Sequence, residues 1–344
     1  MILYNFALMG EQVNDIDAGK IFSVGTDNFN SLALQIFRFQ YFFNKSYQQY
    51  CNLIHCKADE IKVIQEIPFL PVSFFKSKEI KTTDFEPKLT FKSSSTSGTS
   101  TSRHYLKNVS LYEESFIKSF ELFYGNISGY CILGLLPSYL ERSDSSLVYM
   151  TNELIKRSGH TLSGFYLYDH DKLYETLLRN EERKQPTILI GVTFALLDFA
   201  IAKPMKLKHT IVIETGGMKG RKKELTREEV HDKLKKLLGI REVHSEYGMT
   251  ELLSQSYAIK NGYFSSPPWM QVLVRAEDDP FEIRSQDDIS IPVTGLGNII
   301  DLANLHSCSF IACDDIIRLH PGSKFEVLGR LDNSDVRGCG LMIM

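Results

Sequence analysis

From residue 88 onward, short apolar runs alternate with longer stretches in which apolar positions recur every three or four residues. The runs are KLTF (88–91), YCILGLL (130–136), TILIGV (187–192) and TIVIET (210–215), and each has the length of a strand buried on both faces. Between them lie LYEESFIKSFELF, SSLVYMTNELIKRS, DKLYETLLRNEER and TREEVHDKLKKLL, whose spacing predicts amphipathic helices. The last opens with Thr226 and Glu229 at capping-box spacing. Strand alternating with helix predicts a mainly parallel sheet flanked by helices. In such sheets ligands sit beyond the carboxyl ends of the strands.

The flanks read differently. The aromatic block IFRFQYFFNKSYQQY (36–50) suits a helix packed on a core, while IPFLPVSFF (67–75) holds two prolines and should run extended toward the next strand. From about residue 265 the helical pattern stops. WMQVLV, GLGNIIDL, SFIACDDIIRL and KFEVLGRL predict short strands of a smaller β-rich subdomain. The expected organisation is an N-terminal helical segment (1–88), an α/β core (89–262), and a β-rich subdomain with a C-terminal tail (263–344).

Composition narrows the function classes. Of 344 residues, 43% are apolar and 24% charged, as in ordinary globular proteins, and 39 Lys and Arg against 42 Asp and Glu give a net charge of −3. That balance implies no general affinity for nucleic acid, so any phosphate must be held by local groups. The opening MILYNFALMGEQVND lacks a positive n-region, and no run approaches the roughly 18 apolar residues of a membrane span, so neither a signal peptide nor a span is expected. Six scattered cysteines, at 51, 56, 131, 308, 313 and 339, make no disulfide framework and suit a reducing cytoplasm. Cys51, His55 and Cys56, like His306, Cys308 and Cys313, lack the paired spacing of zinc ligands and read as buried thiols.

Four segments carry candidate chemistry. SSSTSGTSTS (93–102) is nine parts Ser or Thr to one Gly98. Its composition suits a linker, and its position between a strand and Arg103, His104 and a helix suits a phosphate loop. It is not the GxxxxGK[ST] pattern. HSEYGMTELLSQ (244–255) gathers an aromatic face, a glycine, a hydroxyl and a carboxylate in Tyr247, Gly248, Thr250 and Glu251; it suits either a nucleotide site or a surface turn. IETGGMKG (213–220) ends a strand on paired glycines that could line a flat ring or simply form a turn. ACDDIIRLH and FEVLGRLDNSD supply Asp314, Asp315, Arg330 and Asp332, of which one carboxylate could accept two ribose hydroxyls.

The order TSGTS, TGG, YGMTE, DDIIR and GRLDN resembles the ordered core motifs of the adenylate-forming superfamily. Within it, LPSYLERSDSSLVYM, GVTFALLDF, ETGGMKG and LGRLDNSDVRGCGLM resemble the acyl-protein synthetase (LuxE) family, over roughly residues 65–344. The resemblance implies an α/β core of the superfamily's N-terminal type, with mainly parallel sheets, a smaller β-rich subdomain and no mobile C-terminal domain. That last expectation follows from Met344 standing 12 residues after Asp332, at the superfamily's hinge.

The implied activity is ATP-dependent activation of a carboxylic acid, a fatty acid by family, to acyl-adenylate and pyrophosphate, followed by transfer to a protein thiol. The alternatives are an acyl- or aryl-CoA ligase-like enzyme with another acceptor, or a nucleotide-binding protein without turnover. By position, Ser97, Gly98, Thr99 and Ser100 would hold the ATP phosphates, and Tyr247 would stack on adenine opposite Gly216 and Gly217. Thr250 would bond the α-phosphate, Glu251 would hold Mg2+, Asp315 would take the ribose hydroxyls with support from Arg330, and Arg103 would help neutralise charge. Cys339, between two glycines, stands where the family carries its acyl-accepting cysteine; an acyl-CoA reductase or acyl carrier protein is the implied partner. Thr101 replaces the superfamily's usual second glycine, and Arg103 and His104 stand near its usual lysine. SGFYLYD and GVTFALLDF read as either acyl-pocket lining or core.

Overall fold

A computed structural model describes residues 16–93, 101–138, 140–216 and 225–331. Among the described residues a 3-10 turn at Ala18–Ser23 leads into α1 (Thr26–Phe43) and α2 (Lys45–Leu53). Asn44 joins them: its N–H donates to Gln40 O at 2.9 Å and its side chain accepts from Tyr47 N at 3.0 Å, closing one helix and opening the next. Next come β1 (Leu70–Pro71), a helical turn at Phe74–Ser77, β2 (Leu89–Lys92), β3 (Arg103–Leu106) and α3 (Val109–Tyr124).

The alternating region follows as β4 (Cys131–Leu135), α4 (Ser146–Ser158), β5 (Gly164–Phe165), α5 (His170–Glu182), β6 (Thr187–Gly191), α6 (Thr193–Ala202), β7 (Thr210–Glu214), α7 (Arg227–Leu238), β8 (His244–Tyr247) and β9 (Ser256–Ala258). The capping box of α7 forms as its sequence indicates, with Thr226 N to Glu229 at 2.8 Å and Glu229 N to Thr226 Oγ1 at 3.2 Å. The chain then turns to β10 (Met270–Arg275), β11 (Ile283–Arg284), β12 (Val293–Asp301), β13 (Phe310–His320) and β14 (Lys324–Arg330).

One sheet has the order β5-β4-β6-β7-β8-β9, parallel except for the last pair. Every residue of β4 and β6 is buried, as strands covered on both faces require. Ile132, Ile188, Ile190 and Ile213 join one hydrophobic cluster with Phe116, Phe120 and Leu154 of α3 and α4. Leu133, Leu189 and Val212 join the other with Leu177, Phe199 and Leu234 of α5, α6 and α7. The second sheet, β1-β13-β12-β10-β11 with β14 on β13, is antiparallel apart from β1. Phe310 of β13 packs on Phe37 and Tyr47 of the N-terminal helices, with ring centroids 6.1 and 6.2 Å apart.

Three sequence expectations need correction. Arg103 and His104 open a strand before the expected helix: Phe91 pairs with His104 and Lys92 with Arg103, so the hydroxyl-rich segment links two antiparallel strands and not a strand to a helix. The alternating exposure of residues 103–106 is strand periodicity, and the helix waits for Asn108, whose side chain accepts from Ser110 N at 3.0 Å. No helix N-terminus therefore stands directly after that segment. Helix α6 was not anticipated, because TFALLDFAIA is apolar nearly all round and shows no 3.6-residue period. The short strands β5, β8 and β9 were also missed, being two to four residues long.

Candidate active site

Strands β7 and β8 are parallel neighbours, with Ile213 opposite His244 and Glu214 opposite Ser245. Their chains therefore leave the sheet at the same edge, which brings Thr215 and Gly216 beside the YGMTE segment. Gly216 has φ +75°, a left-handed conformation that glycine adopts without strain. The turn is held by Gly216 N donating to Glu214 Oε1 at 2.7 Å and by Thr193 N donating to Gly216 O at 3.0 Å. Burial disfavours charge on Glu214, but hydrogen bonds from His231, Thr193 and Gly216 outweigh it and hold the carboxyl below its usual range.

Tyr247 lies buried at the end of β8, its ring edge-on to Phe264 and Phe325 at 5.9 and 5.7 Å. Its hydroxyl donates to Asp315 Oδ2 at 2.8 Å. Asp315 is in turn paired in register with Arg330, with Nε 3.8 Å from Oδ1. Three expected nucleotide-facing residues thus meet across the two sheets, through a hydroxyl–carboxylate bond that the motifs do not announce.

Thr250 and Glu251 follow in the next turn. His104 Nδ1 donates to Thr250 O at 2.9 Å, which fixes the imidazole tautomer. Burial pushes the His104 pKa down to about 4, so the ring is neutral near pH 7. Glu251 is buried; that burial raises its carboxyl pKa, opposed by a hydrogen bond from Ser102, the last hydroxyl of the Ser/Thr segment. A buried carboxylate whose hydrogen bonds and nearby Arg330 and Lys76 do not offset its burial is a suitable ligand for a hard cation. Among the described residues no group of three or more His, Cys, Asp and Glu could hold a metal ion, so Glu251 fits Mg2+ only as one carboxylate beside substrate phosphates. Asp301, at the end of β12, braces the following residues by accepting from Leu253 N, Ser254 N and Ser254 Oγ at 2.8, 2.9 and 2.6 Å.

A cavity of about 550 Å³ opens at the carboxyl ends of β4, β6, β7 and β8 and is lined by the residues that follow them, Leu136, Val192, Thr215 and Gly248. That size is typical of small-molecule sites. Thr250 stands at its polar side, and Val148, Met150 and Phe194 form an apolar wall. In GVTFALLDF, Val192 and Phe194 line this cavity while Leu196 and Phe199 lie in the core, so both readings of that segment hold.

Arg103 is exposed at the start of β3, one residue after Ser102. Ser97, Gly98, Thr99, Ser100, Gly217, Asp332 and Cys339 lie outside the described residues. Cys51, Cys131, Cys308 and Cys313 are buried free thiols. Sequence reasoning missed Glu214, Glu246 and Gln255. A carboxylate at the end of the apolar strand TIVIE was the available signal for the first.

No protein-family model matches the chain. Its fold is that of the adenylate-forming ligases: 2-hydroxyisobutyryl-CoA ligase, solved with 2-HIB-AMP and CoA, aligns with a TM-score of 0.58 and 10% identity over 88% of this chain and 74% of that one. O-succinylbenzoate coenzyme A synthetase (MenE) from Bacillus subtilis, solved with ATP and magnesium ion, aligns at 0.47 and 13% identity over 74% of this chain and 54% of that one. In sequence, the chain is similar to the long-chain-fatty-acid–luciferin-component ligase of Aliivibrio fischeri, 25% identical over 339 residues, which span 91% of this chain and 86% of that protein. The resemblance to acyl-protein synthetases read from the motifs is thereby borne out.

Proposed function

We propose that this chain activates a carboxylic acid with ATP, in the first instance a fatty acid, and passes the acyl group to a thiol. The observation that carries this reading is the cavity itself, where Thr250 and Gly248 of the nucleotide-type motif and an apolar wall line one space.

The first step is attack of a carboxylate oxygen on the α-phosphorus of ATP. A P–O bond forms to the acid, the bond to the bridging oxygen breaks, and pyrophosphate leaves with its electron pair. Both reactants are anions, so catalysis is positioning and charge neutralisation. Tyr247 and the Gly216–Gly217 turn would hold adenine, and Asp315 with Arg330 the ribose, the Tyr247 hydroxyl keeping the Asp315 carboxylate aligned. Thr250 would hold the α-phosphate, with its peptide fixed by His104. Ser97, Gly98, Thr99, Ser100 and Arg103 would hold the departing phosphates. Bound Mg2+, held through Glu251, would supply positive charge at those oxygens.

In the second step a thiolate attacks the acyl carbon and AMP leaves. Burial raises the pKa of all five described cysteines, Cys308 and Cys313 to about 12, which leaves none of them an activated nucleophile. That supports Cys339, or a thiol on an acyl carrier protein or acyl-CoA reductase, as the acceptor. Pyrophosphate exchange into ATP, dependent on added fatty acid, tests the first step; no exchange with acids from acetate to palmitate overturns it. Hydroxylamine-sensitive label from a fatty acid on Cys339, lost in Cys339→Ser while exchange persists, tests the second. Label on no cysteine moves the acceptor to a partner. Among the described residues no helix is long and apolar enough to cross a membrane.

A further inference from the structure

The cavity has a polar feature that adenylation does not use. Along β8 the side chains alternate, so Glu246 points away from the face of Tyr247 and lines the cavity. Its carboxyl has no hydrogen bond or ion pair among the described residues. Gln255, 4% exposed, also lines the cavity, and its Oε1 is buried without a partner. The two are neighbours: a Cβ built on Gly248 would stand 2.5 Å from Glu246 Oε1 and 3.5 Å from Gln255 Cγ. Glycine at 248 is what leaves the carboxyl open to the cavity. The apolar part of the wall is Leu136, Val148, Met150 and Phe194, and the wall's other polar side chains include Lys92, Arg142, Ser145 and Thr215.

A buried acceptor without a partner, set beside a half-buried carboxyl that is also unpaired, is costly unless a ligand satisfies it. We infer that Glu246 and Gln255 form a hydroxyl-recognition subsite, so that the preferred acid carries a hydroxyl group on its chain. The chemistry is matched in both directions. Burial, with Glu214 as a second negative neighbour, pushes the Glu246 pKa up to about 8, so near pH 7 it is a neutral carboxylic acid with an O–H to donate. A ligand hydroxyl accepts that proton and donates its own to Gln255 Oε1. A plain alkyl chain leaves both groups unpaired, and an ammonium requires Glu246 to ionise inside the cavity.

This inference rests on the adenylation reading, and the test separates the two. The full chain is assayed by pyrophosphate exchange with a series of unsubstituted acids of eight to fourteen carbons, their positional hydroxy isomers and matched amino acids. At least one hydroxy isomer should exceed its parent in kcat/KM by about tenfold or more. In Gln255→Leu that ratio should collapse toward one, whereas Glu246→Gln, which keeps a neutral donor and acceptor, should retain it. Parent acids or amino acids preferred over every hydroxy isomer overturn the subsite while leaving adenylation standing. Exchange with no acid at all overturns adenylation. Calorimetric binding of the same acids then decides the subsite alone: tighter binding of a hydroxy isomer than of its parent supports it, and equal or absent binding overturns it.

Discussion

His104 and Thr250 meet across 146 residues of sequence, the imidazole Nδ1 donating to the Thr250 carbonyl at 2.9 Å. The bond fastens the β2–β3 pair, which carries the Ser/Thr-rich segment, to the turn holding the expected phosphate and metal ligands. His104→Ala should lower kcat/KM for ATP about tenfold by freeing the Thr250 peptide. His104→Asn, whose amide nitrogen lies near the place of Nδ1, should recover most of it. Steady-state kinetics of the two variants check this, and equal losses in both would reduce His104 to packing.

The same imidazole gives an acid signature. The folded chain keeps His104 neutral down to about pH 4, whereas the unfolded side chain takes up its proton around 6.5. Between those values the unfolded state binds the extra proton, so stability falls as pH drops from 6.5 to 4. Urea midpoints measured across that window should decline less steeply in His104→Asn than in the wild type.

Glu246 has the opposite sign. Its ordinary value is 4.5 and burial raises it to about 8, so over that range the folded state retains a proton the unfolded state has released. Stability contributed by the neutral form is present at pH 4 and drains away as pH rises toward 8. Glu246→Gln removes the titration, and its melting temperature should gain on that of the wild type between pH 5 and pH 8. A constant difference across that range would show that the carboxyl titrates normally.

Glu251→Gln should fold with unchanged or higher melting temperature, because it replaces a buried carboxylate whose pKa burial raises. Exchange activity should nevertheless fall by about a hundredfold or more, a neutral amide being a poor ligand for a hard cation. Retained activity would make the carboxylate structural.

Tyr247→Phe keeps the ring and deletes the hydrogen bond to Asp315. ATP binding should weaken by about fivefold, corresponding to ~1 kcal/mol, a part of the worth of one hydrogen bond to a charged group. Tyr247→Ala should weaken it further by removing the ring. Calorimetry with ATP distinguishes the two losses.

The strands β4, β6 and β7 were legible as short continuous apolar runs, and α3, α4, α5 and α7 by the 3.6-residue period that burial of one face imposes. The YGMTE and TGG segments were legible as motifs, and parallel pairing of β7 and β8 explains why segments about thirty residues apart share one edge. Side-chain partnerships were not legible. Nothing local in HSEYGMTE distinguishes Tyr247, bonded to Asp315, from Glu246, bonded to nothing described, since partnership depends on which face of β8 the neighbouring elements cover. The strand at Arg103–Leu106 was hidden for a different reason: four residues between a polar segment and a helix are too few to show a period.

Gln40 of α1 donates to Asn304 O and Leu305 O at 3.0 and 3.1 Å and accepts from Ser309 N at 2.8 Å. These partners lie up to 269 residues later in the chain. During synthesis the aromatic face of α1 therefore emerges from the ribosome long before the strand it packs on exists. At about 5–20 residues per second, that apolar face waits for on the order of ten seconds or more, an interval in which aggregation or a chaperone competes with folding.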